Sequence, residues 1–194
     1  MKLIGITGGI GAGKTLVCEI FESMGIPVFN SDMQAKQLMN TSNDLKIKIT
    51  SLLGPKSYSS GKLNRDYVAK AVFSDKEKLN ALNKLVHPVV RNEFKLWVKK
   101  CQYTPYVINE AALLIESGSY KELDAIIYVN APEKLRINRV VDRDQCRESD
   151  VRSRIENQLS DKEKIIHCKW VINNDNSEML LPQALKIHKE IKSL

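Results

Sequence analysis

Residues 8–15 read Gly-Gly-Ile-Gly-Ala-Gly-Lys-Thr and match the pattern G-x-x-x-x-G-K-[ST] in full. Glycines let the main chain turn close to a phosphate group, where the Cβ of another residue would clash. Successive backbone N–H groups then point at the anion from the N-terminus of the following helix. In this pattern the lysine places a cation on the β- and γ-phosphates, and the threonine hydroxyl binds Mg²⁺. This stretch, the phosphate loop, predicts a nucleotide site formed by Gly8, Gly9, Gly11, Ala12, Gly13, Lys14 and Thr15, together with Leu16, which follows the loop.

The residues on either side of the phosphate loop predict a strand before it and a helix after it. Lys2 to Thr7 is a short apolar run that ends in the glycines, which is typical of a buried strand. Ile26 to Phe29 predicts a second strand, and Gly25 with Pro27 ends the helix before it. Apolar residues recur at helical spacing within that helix, at Val17, Ile20, Phe21 and Met24. Strand, glycine loop, helix and strand in this order predict an α/β fold of the P-loop class with a parallel sheet.

The remainder of the chain predicts a sheet that is interrupted by one long helical insertion. Residues 31–102 have mostly helical patterns, and about seventy residues exceed the dozen or more that a crossover needs. Such a size indicates a segment that covers a substrate. Further elements are predicted as strands at Tyr106 to Asn109, Ala125 to Val129 and Trp170 to Ile172, and as a closing helix with Leu180, Ala184, Ile187 and Ile191. Five short strands that alternate with helices predict a doubly wound sheet.

Local signals predict where several elements begin. Ser74 with Glu77, and Ser160 with Glu163, have the spacing of a capping box at a helix N-terminus. The pair His87-Pro88 predicts the start of another helix, because proline is common in the first helical turn. Residues 58–61, Tyr-Ser-Ser-Gly, predict a turn inside the insertion.

The composition is that of a folded domain of ordinary size. Of 194 residues, 43% are hydrophobic and 27% are charged, which excludes disordered, collagen-like and coiled-coil chains. No apolar run approaches the ~20 residues of a membrane span. Glycines occupy the place where a signal peptide needs its apolar segment, so we expect a cytoplasmic protein. The four cysteines form no C-x-x-C pair and fit no zinc spacing, so we expect reduced thiols.

The net charge of +7 narrows the classes of partner. A basic chain can bind nucleic acid, an anionic membrane surface or a polyanionic small molecule. Six of the eight arginines lie between Arg136 and Arg154, and arginine binds phosphate with two N–H groups at once. No aromatic residue interrupts this segment, which disfavours a stacking surface for single-stranded nucleic acid. We expect a small-molecule substrate, no nucleic acid, no membrane, and a monomer or weak homo-oligomer.

The absence of characteristic motifs argues against two classes of P-loop protein. The chain has neither the D-x-x-G and N-K-x-D segments of a GTPase nor the L-S-G-G-Q-like signature of a transport ATPase. A short chain with a helical insertion and late arginines is typical of a small-molecule kinase. Such an enzyme must exclude water, which competes with the acceptor for the γ-phosphoryl group, and helical covers provide that exclusion.

Three acidic residues are candidates for the chemistry, each with two interpretations. Asp32 follows the second strand, where it either accepts the proton of the acceptor hydroxyl or caps the next helix. Glu110 ends a strand, where it either holds a Mg²⁺-bound water or is a solvated loop acid. Glu116 either positions the substrate or pairs with a lysine.

The basic candidate residues also have two interpretations each when the sequence alone is considered. Arg136, Arg139 and Arg143 are spaced three and four apart on one helix. They form either a lid that clamps the phosphates of ATP or a solvated face paired with Asp142 or Asp144. His87 has either a structural role or a contact with phosphate or substrate.

Taken together, these residues resemble the dephospho-coenzyme A kinase family over nearly the whole chain. The phosphate loop alone is common to many nucleotide-binding proteins, whereas its combination with the later segments is much more specific. The matching segments are Ile6 to Thr15, Asp32, Leu85 to Pro88 with Arg91, Leu113 to Glu116, Arg139 with Arg143 and Asp144, Arg154 and Ile155 with Gln158, and Val171 to Asn174.

The resemblance implies transfer of the γ-phosphoryl group of ATP to the ribose 3′-hydroxyl of dephospho-coenzyme A, with Mg²⁺ as cofactor. It implies that Asp32 is the general base, that Lys14 and Arg143 act in catalysis, and that Thr15 holds the metal. Glu110 is the second expected metal residue, because of its position at the end of a strand. Nucleotide contacts are implied for Arg139, Arg143 and Asn174, and substrate contacts for Asp32, His87, Arg91, Leu113 and Glu116. Another nucleoside or nucleotide kinase is the alternative.

The same resemblance implies how the chain is divided. The nucleotide-binding core, with a five-stranded parallel sheet flanked by helices, spans 1–30, 103–131 and 166–194. The helical substrate domain spans 31–102, and the lid spans 132–165.

Four positions depart from the family pattern. The segment around the base reads Asn30-Ser31-Asp32 where Asp-Ala-Asp is frequent, and Ala112 replaces a proline. Arg136 stands where a glutamine is frequent, and Asn176 where a glycine is common. These changes affect contacts around the nucleotide and the substrate, and they remove no catalytic group.

Overall fold

Two compact units make up the chain in a computed structural model, which describes residues 1–73, 75–101 and 103–194. The sheet unit consists of Met1–Asn30 and Lys100–Leu194, and the helical unit consists of Ser31–Lys99. Ser74, half of one predicted capping box, and Gln102, where the predicted insertion ends, lie outside the described residues.

The sheet unit contains five parallel strands, which confirms the predicted fold class. Their bounds are β1 Lys2–Thr7, β2 Val28–Asn30, β5 Tyr106–Glu110, β6 Ala125–Asn130 and β7 Trp170–Asn173. Their order in the sheet is β2-β5-β1-β6-β7. Ile4 of the central strand lies opposite Ile108 on one side and Ala125 on the other. Since all strands are parallel, their carboxyl ends share one edge of the sheet, and the phosphate loop leaves from that edge.

Apolar side chains from the strands and from the first helix form the core of the sheet unit. Ile4 and Ile6 of β1 are fully buried, as are Val17 and Phe21 of the helix after the loop. Burying each such side chain contributes about 1.5–3 kcal/mol. The helices of this unit are α1 Lys14–Ser23, α6 Glu133–Asp144, α7 Glu148–Glu156, α8 Asp161–Ile165 and α9 Leu180–Lys192, and Ser119–Glu122 is a 3₁₀ turn. The predicted closing helix is therefore confirmed.

The helical unit contains one long helix, which corrects a prediction. Its helices are α2 Ser31–Thr41, α3 Asn43–Leu53, α4 Arg65–Phe73 and α5 Lys76–Lys100, and Pro55–Ser57 is a 3₁₀ turn. Pro88 lies inside α5, so the predicted helix start at His87-Pro88 is wrong. Proline removes one backbone hydrogen bond there. The buried face nevertheless continues across it at a spacing of four, through Leu82, Val86, Val90 and Phe94, and this packing outweighs the local signal.

Other local signals are confirmed or replaced. The capping box of Ser160 and Glu163 is formed at the start of α8. At the start of α5, the Asp75 carboxylate accepts hydrogen bonds from the backbone N–H groups of Glu77 and Lys78, both at 3.1 Å. The predicted turn at residues 58–61 joins two short antiparallel strands, β3 Tyr58–Ser59 and β4 Lys62–Leu63, a pair that the sequence patterns missed.

All four cysteines are free thiols. Within the described ranges, no helix combines the length and the apolarity needed to cross a bilayer.

Candidate active site

The phosphate loop connects β1 to α1 and depends on glycine at specific positions. Gly11 and Gly13 have φ angles of +77° and +90°, which are left-handed conformations that favour glycine. A Cβ on Gly13 would lie 2.2 Å from Asn174 Nδ2, and one on Gly9 would lie 1.7 Å from Arg136 Nη1. Side chains of the surrounding elements therefore fill the space that a larger residue at Gly9 or Gly13 would need.

Lys14 is folded back over the loop that precedes it. Its side chain is 9% exposed, and Nζ donates hydrogen bonds to the carbonyls of Gly8 at 3.1 Å and Gly9 at 3.3 Å. These bonds hold the ammonium group against the loop, where a triphosphate would place its negative charge. Thr15 and Leu16 follow at the start of α1, and both are exposed.

Asn174 braces the loop from the end of β7. It is buried, and its Nδ2 donates to the carbonyl of Ala12 at 2.8 Å. Arg139 of α6 holds Asn174 in turn, because its Nη1 donates to the Asn174 carbonyl at 3.1 Å. Arg139 Nη2 also donates to Asn176 Oδ1 at 3.1 Å. The structure thus brings the two predicted nucleotide-side residues together behind the loop.

Arg136 occupies a buried position in the same helix. It is 4% exposed, and its Nη2 pairs with Asp161 Oδ2 at 3.0 Å. Asp161 also accepts a hydrogen bond from the Tyr128 hydroxyl. Among the described residues, Arg136 Nε has no hydrogen-bond partner. The solvated-face interpretation is therefore wrong for Arg136, which is enclosed by protein.

Arg143 has different surroundings from Arg136. Its side chain is 67% exposed and pairs with Asp144 at 2.7 Å. Hydrogen bonding to Arg143 lowers the pKa of the Asp144 carboxyl below its ordinary value, and the same bond raises the pKa of Arg143. Arg154 Nη1 lies 3.3 Å from Asp144 as well. The pairing that the sequence offered as one alternative is thus formed, on a solvent-exposed surface.

Glu110 is buried at the carboxyl end of β5. It is 4% exposed and accepts a hydrogen bond from Asn30 Nδ2, at the end of the neighbouring strand β2. Burial raises the pKa of the Cys18 thiol, and the negative charge of Glu110 raises it further. Glu110 is therefore enclosed by protein next to Asn30, and the interpretation as a solvated loop acid is wrong.

The structure also bears on metal ligands. Across the parts of the chain that it describes, no group of three or more His, Cys, Asp and Glu side chains could hold a metal ion. Thr15 and Glu110 supply oxygen donors of the kind that Mg²⁺ prefers, and Mg²⁺ sites at phosphates typically use only one or two protein carboxylates. These two residues fit a metal that the nucleotide itself helps to bind.

Three predicted residues come together in the helical unit. Asp32 is exposed in the first turn of α2, and His87 and Arg91 lie one turn apart in α5. Burial lowers the pKa of His87, the positive charge of Arg91 lowers it further, and the negative charge of Asp32 raises it. The three side chains are thus close enough to interact electrostatically.

Glu116 is engaged by a lysine. Its Oε1 lies 2.8 Å from Lys164 Nζ, and Lys164 is fully buried. The same oxygen accepts from the backbone N–H of Leu159 at 3.0 Å. The lysine pair that the sequence offered as one alternative is therefore present. Leu113, three residues earlier, is half-buried, and its carbonyl accepts from the backbone N–H of Ser117.

One contact of the loop was missed by the sequence reasoning. Gln158 Oε1 accepts a hydrogen bond from the Ile10 backbone N–H at 3.0 Å. Gln158 belongs to a segment that resembles the family, but a single glutamine after a helix carries no signal of a partner so distant in the chain.

Comparison with known proteins points to one family. The family model described as dephospho-CoA kinase matches residues 2–179. A dephospho-CoA kinase of Bacteroides fragilis is 38% identical over 184 residues, which cover 95% of this chain and 90% of the relative. That of Chlorobaculum tepidum is 40% identical over 198 residues, covering 97% of this chain and 94% of the relative.

Solved structures agree on the fold. TT1252 from Thermus thermophilus has a TM-score of 0.86 and 33% sequence identity, covering 97% of this chain and 96% of that chain. Dephospho-CoA kinase from Campylobacter jejuni has a TM-score of 0.71 at 24% identity, covering 98% and 97%. Shikimate kinase from Acinetobacter baumannii has a TM-score of 0.59 at 18% identity, covering 100% and 94%. The last two similarities concern the fold alone.

Proposed function

This chain belongs to the dephospho-CoA kinase family, and from that premise we propose how its residues carry out the reaction. The enzyme phosphorylates the ribose 3′-hydroxyl of dephospho-coenzyme A with ATP, giving coenzyme A and ADP. The observation that carries this function is the phosphate loop, with Lys14 folded onto the carbonyls of Gly8 and Gly9, in a chain that matches the family over residues 2–179.

The phosphate loop and Lys14 bind the triphosphate of ATP. Loop N–H groups at the N-terminus of α1 point at the phosphates, and the Lys14 ammonium balances the charge that develops on the oxygens between the β- and γ-phosphorus atoms. The acceptor oxygen forms a bond to the γ-phosphorus while the bond to the β-γ bridging oxygen breaks, and ADP leaves with that electron pair. Because these donors are fixed before the reaction, little reorganisation is needed in the transition state.

Asp32 accepts the proton of the acceptor hydroxyl. It is the second residue after β2, so it follows the carboxyl edge of the sheet along the chain. Asp32 is exposed, so its carboxylate is open to a hydroxyl group that hands over a proton. The nearby His87 and Arg91 provide donors for an anionic group of the acceptor, which makes them candidates for substrate contacts.

Mg²⁺ is the proposed cofactor, held by the Thr15 hydroxyl and by the Glu110 carboxylate. Bound there with ATP, it would neutralise part of the phosphate charge. Glu110 is buried and fixed by Asn30, so its position does not depend on the metal.

Two arginines of the lid at 132–165 serve the nucleotide site, Arg143 by contact with phosphate and Arg139 by supporting the phosphate loop. Arg143 is the proposed catalytic arginine. Its ion pair with Asp144 is exposed, and exposed pairs contribute only about 0–1 kcal/mol to stability. A phosphate group can therefore take the place of Asp144 at little cost. Arg139 acts behind the loop, through Asn174.

The distribution of charge supports a polyanionic acceptor on the helical unit. Residues 31–99 contain 13 Lys and Arg against 6 Asp and Glu, which is the whole net charge of +7, while the sheet unit contains 17 of each sign. A basic surface raises the local concentration of an anion such as a pyrophosphate-bearing nucleotide and speeds its association. We assign residues 31–102 as the substrate domain on this ground.

The four free thiols support the reducing cytoplasm as the location of the protein.

An acceptor panel tests the function directly. ADP release is measured with dephospho-coenzyme A, with nucleosides and with nucleoside monophosphates, in the presence of Mg²⁺ and after chelation. We expect turnover with dephospho-coenzyme A alone and its loss on chelation. Equal or faster turnover with a nucleoside or nucleoside monophosphate would contradict the assigned acceptor.

A further inference from the structure

The tip of the phosphate loop is held by a side chain from the segment after α7. Gln158 Oε1 accepts from the Ile10 N–H at 3.0 Å, and these residues lie 148 positions apart in the sequence. Gln158 is itself placed by a turn, because its backbone N–H donates to the Ile155 carbonyl at 2.9 Å. The hydrogen bond fixes the direction of one peptide plane inside the nucleotide-binding loop.

The segment that follows Gln158 is anchored by two sets of contacts. The next residue, Leu159, donates its backbone N–H to Glu116 Oε1 at 3.0 Å. That carboxylate oxygen also pairs with the fully buried Lys164 at 2.8 Å. Ser160 then begins α8 with a complete capping box. Gln158 therefore stands at the end of a rigid connection that starts in the segment after β5.

The contribution of the buried Glu116–Lys164 ion pair to stability does not by itself explain its presence next to Gln158. Removing two charges from water is costly, and well-packed apolar residues of similar volume often serve as well or better. Glu116 Oε2 is also buried, and within the described part of the chain it has no hydrogen-bond partner. What the pair does supply is a fixed direction for the backbone at Leu159, next to Gln158.

We propose that Gln158 is a positioning residue for ATP binding, and that the buried Glu116–Lys164 pair holds it against the phosphate loop. The proposal rests on the kinase function above and deepens it. Gln158 acts through the Ile10 peptide rather than by touching the acceptor. Its loss should therefore weaken nucleotide binding and leave binding of the acceptor unchanged.

The test uses Gln158→Met, which keeps the length of the side chain and removes the acceptor oxygen, with Asn157→Ala as the matched control. Asn157 is the adjacent residue and is exposed, and its side-chain Nδ2 donates to the Ser153 carbonyl rather than to the phosphate loop. In Gln158→Met we expect the Kd of ADP and the KM of ATP to rise roughly three- to tenfold, the loss of one hydrogen bond. The KM of dephospho-coenzyme A should stay constant, and the melting temperature should stay within about 2 °C of the wild type.

Amide hydrogen exchange distinguishes positioning from a general loss of structure. In Gln158→Met the Ile10 N–H should exchange faster, while amides of the central strand β1 keep their protection. Unchanged exchange at Ile10, or equal losses of ATP and acceptor binding, would overturn the proposal. Asn157→Ala should resemble the wild type in every measurement.

The ion pair is tested with a double variant, because single changes leave a buried charge and can prevent folding. Glu116→Leu with Lys164→Met replaces both charges by apolar groups. We expect a folded protein with the same rise in the Kd of ADP as Gln158→Met, and no further rise when Gln158→Met is added. Normal ADP binding in the double variant would contradict the anchoring role. ADP binding and exchange do not require turnover, so a protein that binds ADP normally yet fails to phosphorylate dephospho-coenzyme A would refute the function and leave this proposal standing.

Discussion

Asn174 donates its side-chain N–H to the carbonyl of Ala12 over 2.8 Å and thereby joins the end of the last strand to the phosphate loop. The donor is buried and is held from behind by Arg139. Since the backbone N–H groups of the loop must face the phosphates, a carbonyl of the same loop has to turn away from them. Asn174 provides the partner that this carbonyl needs.

Replacing Asn174 should therefore weaken nucleotide binding. Asn174→Ala leaves the Ala12 carbonyl buried and unpaired, which costs about 1–3 kcal/mol. Asn174→Asp should be worse, because it places a carboxylate oxygen against the carbonyl. Titration with ADP measures both, with Asn138→Ala, an exposed position on α6, as the control. Wild-type affinity in Asn174→Asp would show that the contact does not shape the loop.

Gly13 allows a test of the close approach itself. Gly13→Ala introduces a Cβ 2.2 Å from Asn174 Nδ2 at a φ of +90°, so we expect nucleotide binding to be lost. Gly25→Ala is the matched control, because Gly25 has a φ of +79° and nothing within 4 Å of its added Cβ. That variant should lose roughly 1–2 kcal/mol of stability from backbone strain and still bind ADP. Loss of binding in both variants would point to strain rather than to the loop.

The sequence could predict those parts of the site that are formed by residues close to one another in the chain. The phosphate loop, β1 and α1 follow from local patterns, since glycines, the lysine and the apolar period lie within residues 2–24. The partners of the loop at Asn174, Gln158 and Arg136 come from distant segments, and only tertiary packing brings them together. At Pro88 a local pattern was misleading. Proline predicted the start of a helix, but the packing of the apolar face of α5 continues the helix across it.

Asp32→Asn tests the general base. We expect ATP affinity to persist and kcat to fall roughly 10²-fold or more, the range for removal of a general base. Asp44→Asn is the matched control, since Asp44 is likewise an exposed acid in the first turn of its helix and pairs only with exposed Lys48 among the described residues. Stopped-flow or single-turnover measurement of the chemical step decides the question. Full activity of Asp32→Asn would remove Asp32 from the mechanism.

The lid arginine is tested by Arg143→Ala. We expect kcat to fall by about 10²-fold or more, as for the loss of one donor that stabilises transition-state charge, with an unchanged melting temperature because the side chain is exposed. Arg147→Ala is the control, since Arg147 is also exposed and pairs with Asp150 at 3.1 Å. Steady-state kinetics gives the kcat of both variants for comparison. Equal effects would indicate that the lid acts only through its net charge.

Two histidines should make the stability of the protein depend on pH. Burial lowers the pKa of His87 and of His188, and the charges of Arg91 and Lys192 respectively lower them further. His188 also shares a hydrogen bond of 2.7 Å with the Tyr106 hydroxyl. A lowered pKa means that the unfolded chain takes up these protons first, so stability is fully present above about pH 6.5 and is lost as the pH falls through the folded-state values. Urea unfolding between pH 5 and about pH 8 should give a free energy that rises with pH. The double variant His87→Gln, His188→Gln should flatten that rise, and an equally steep profile in the variant would assign it to the carboxylates instead.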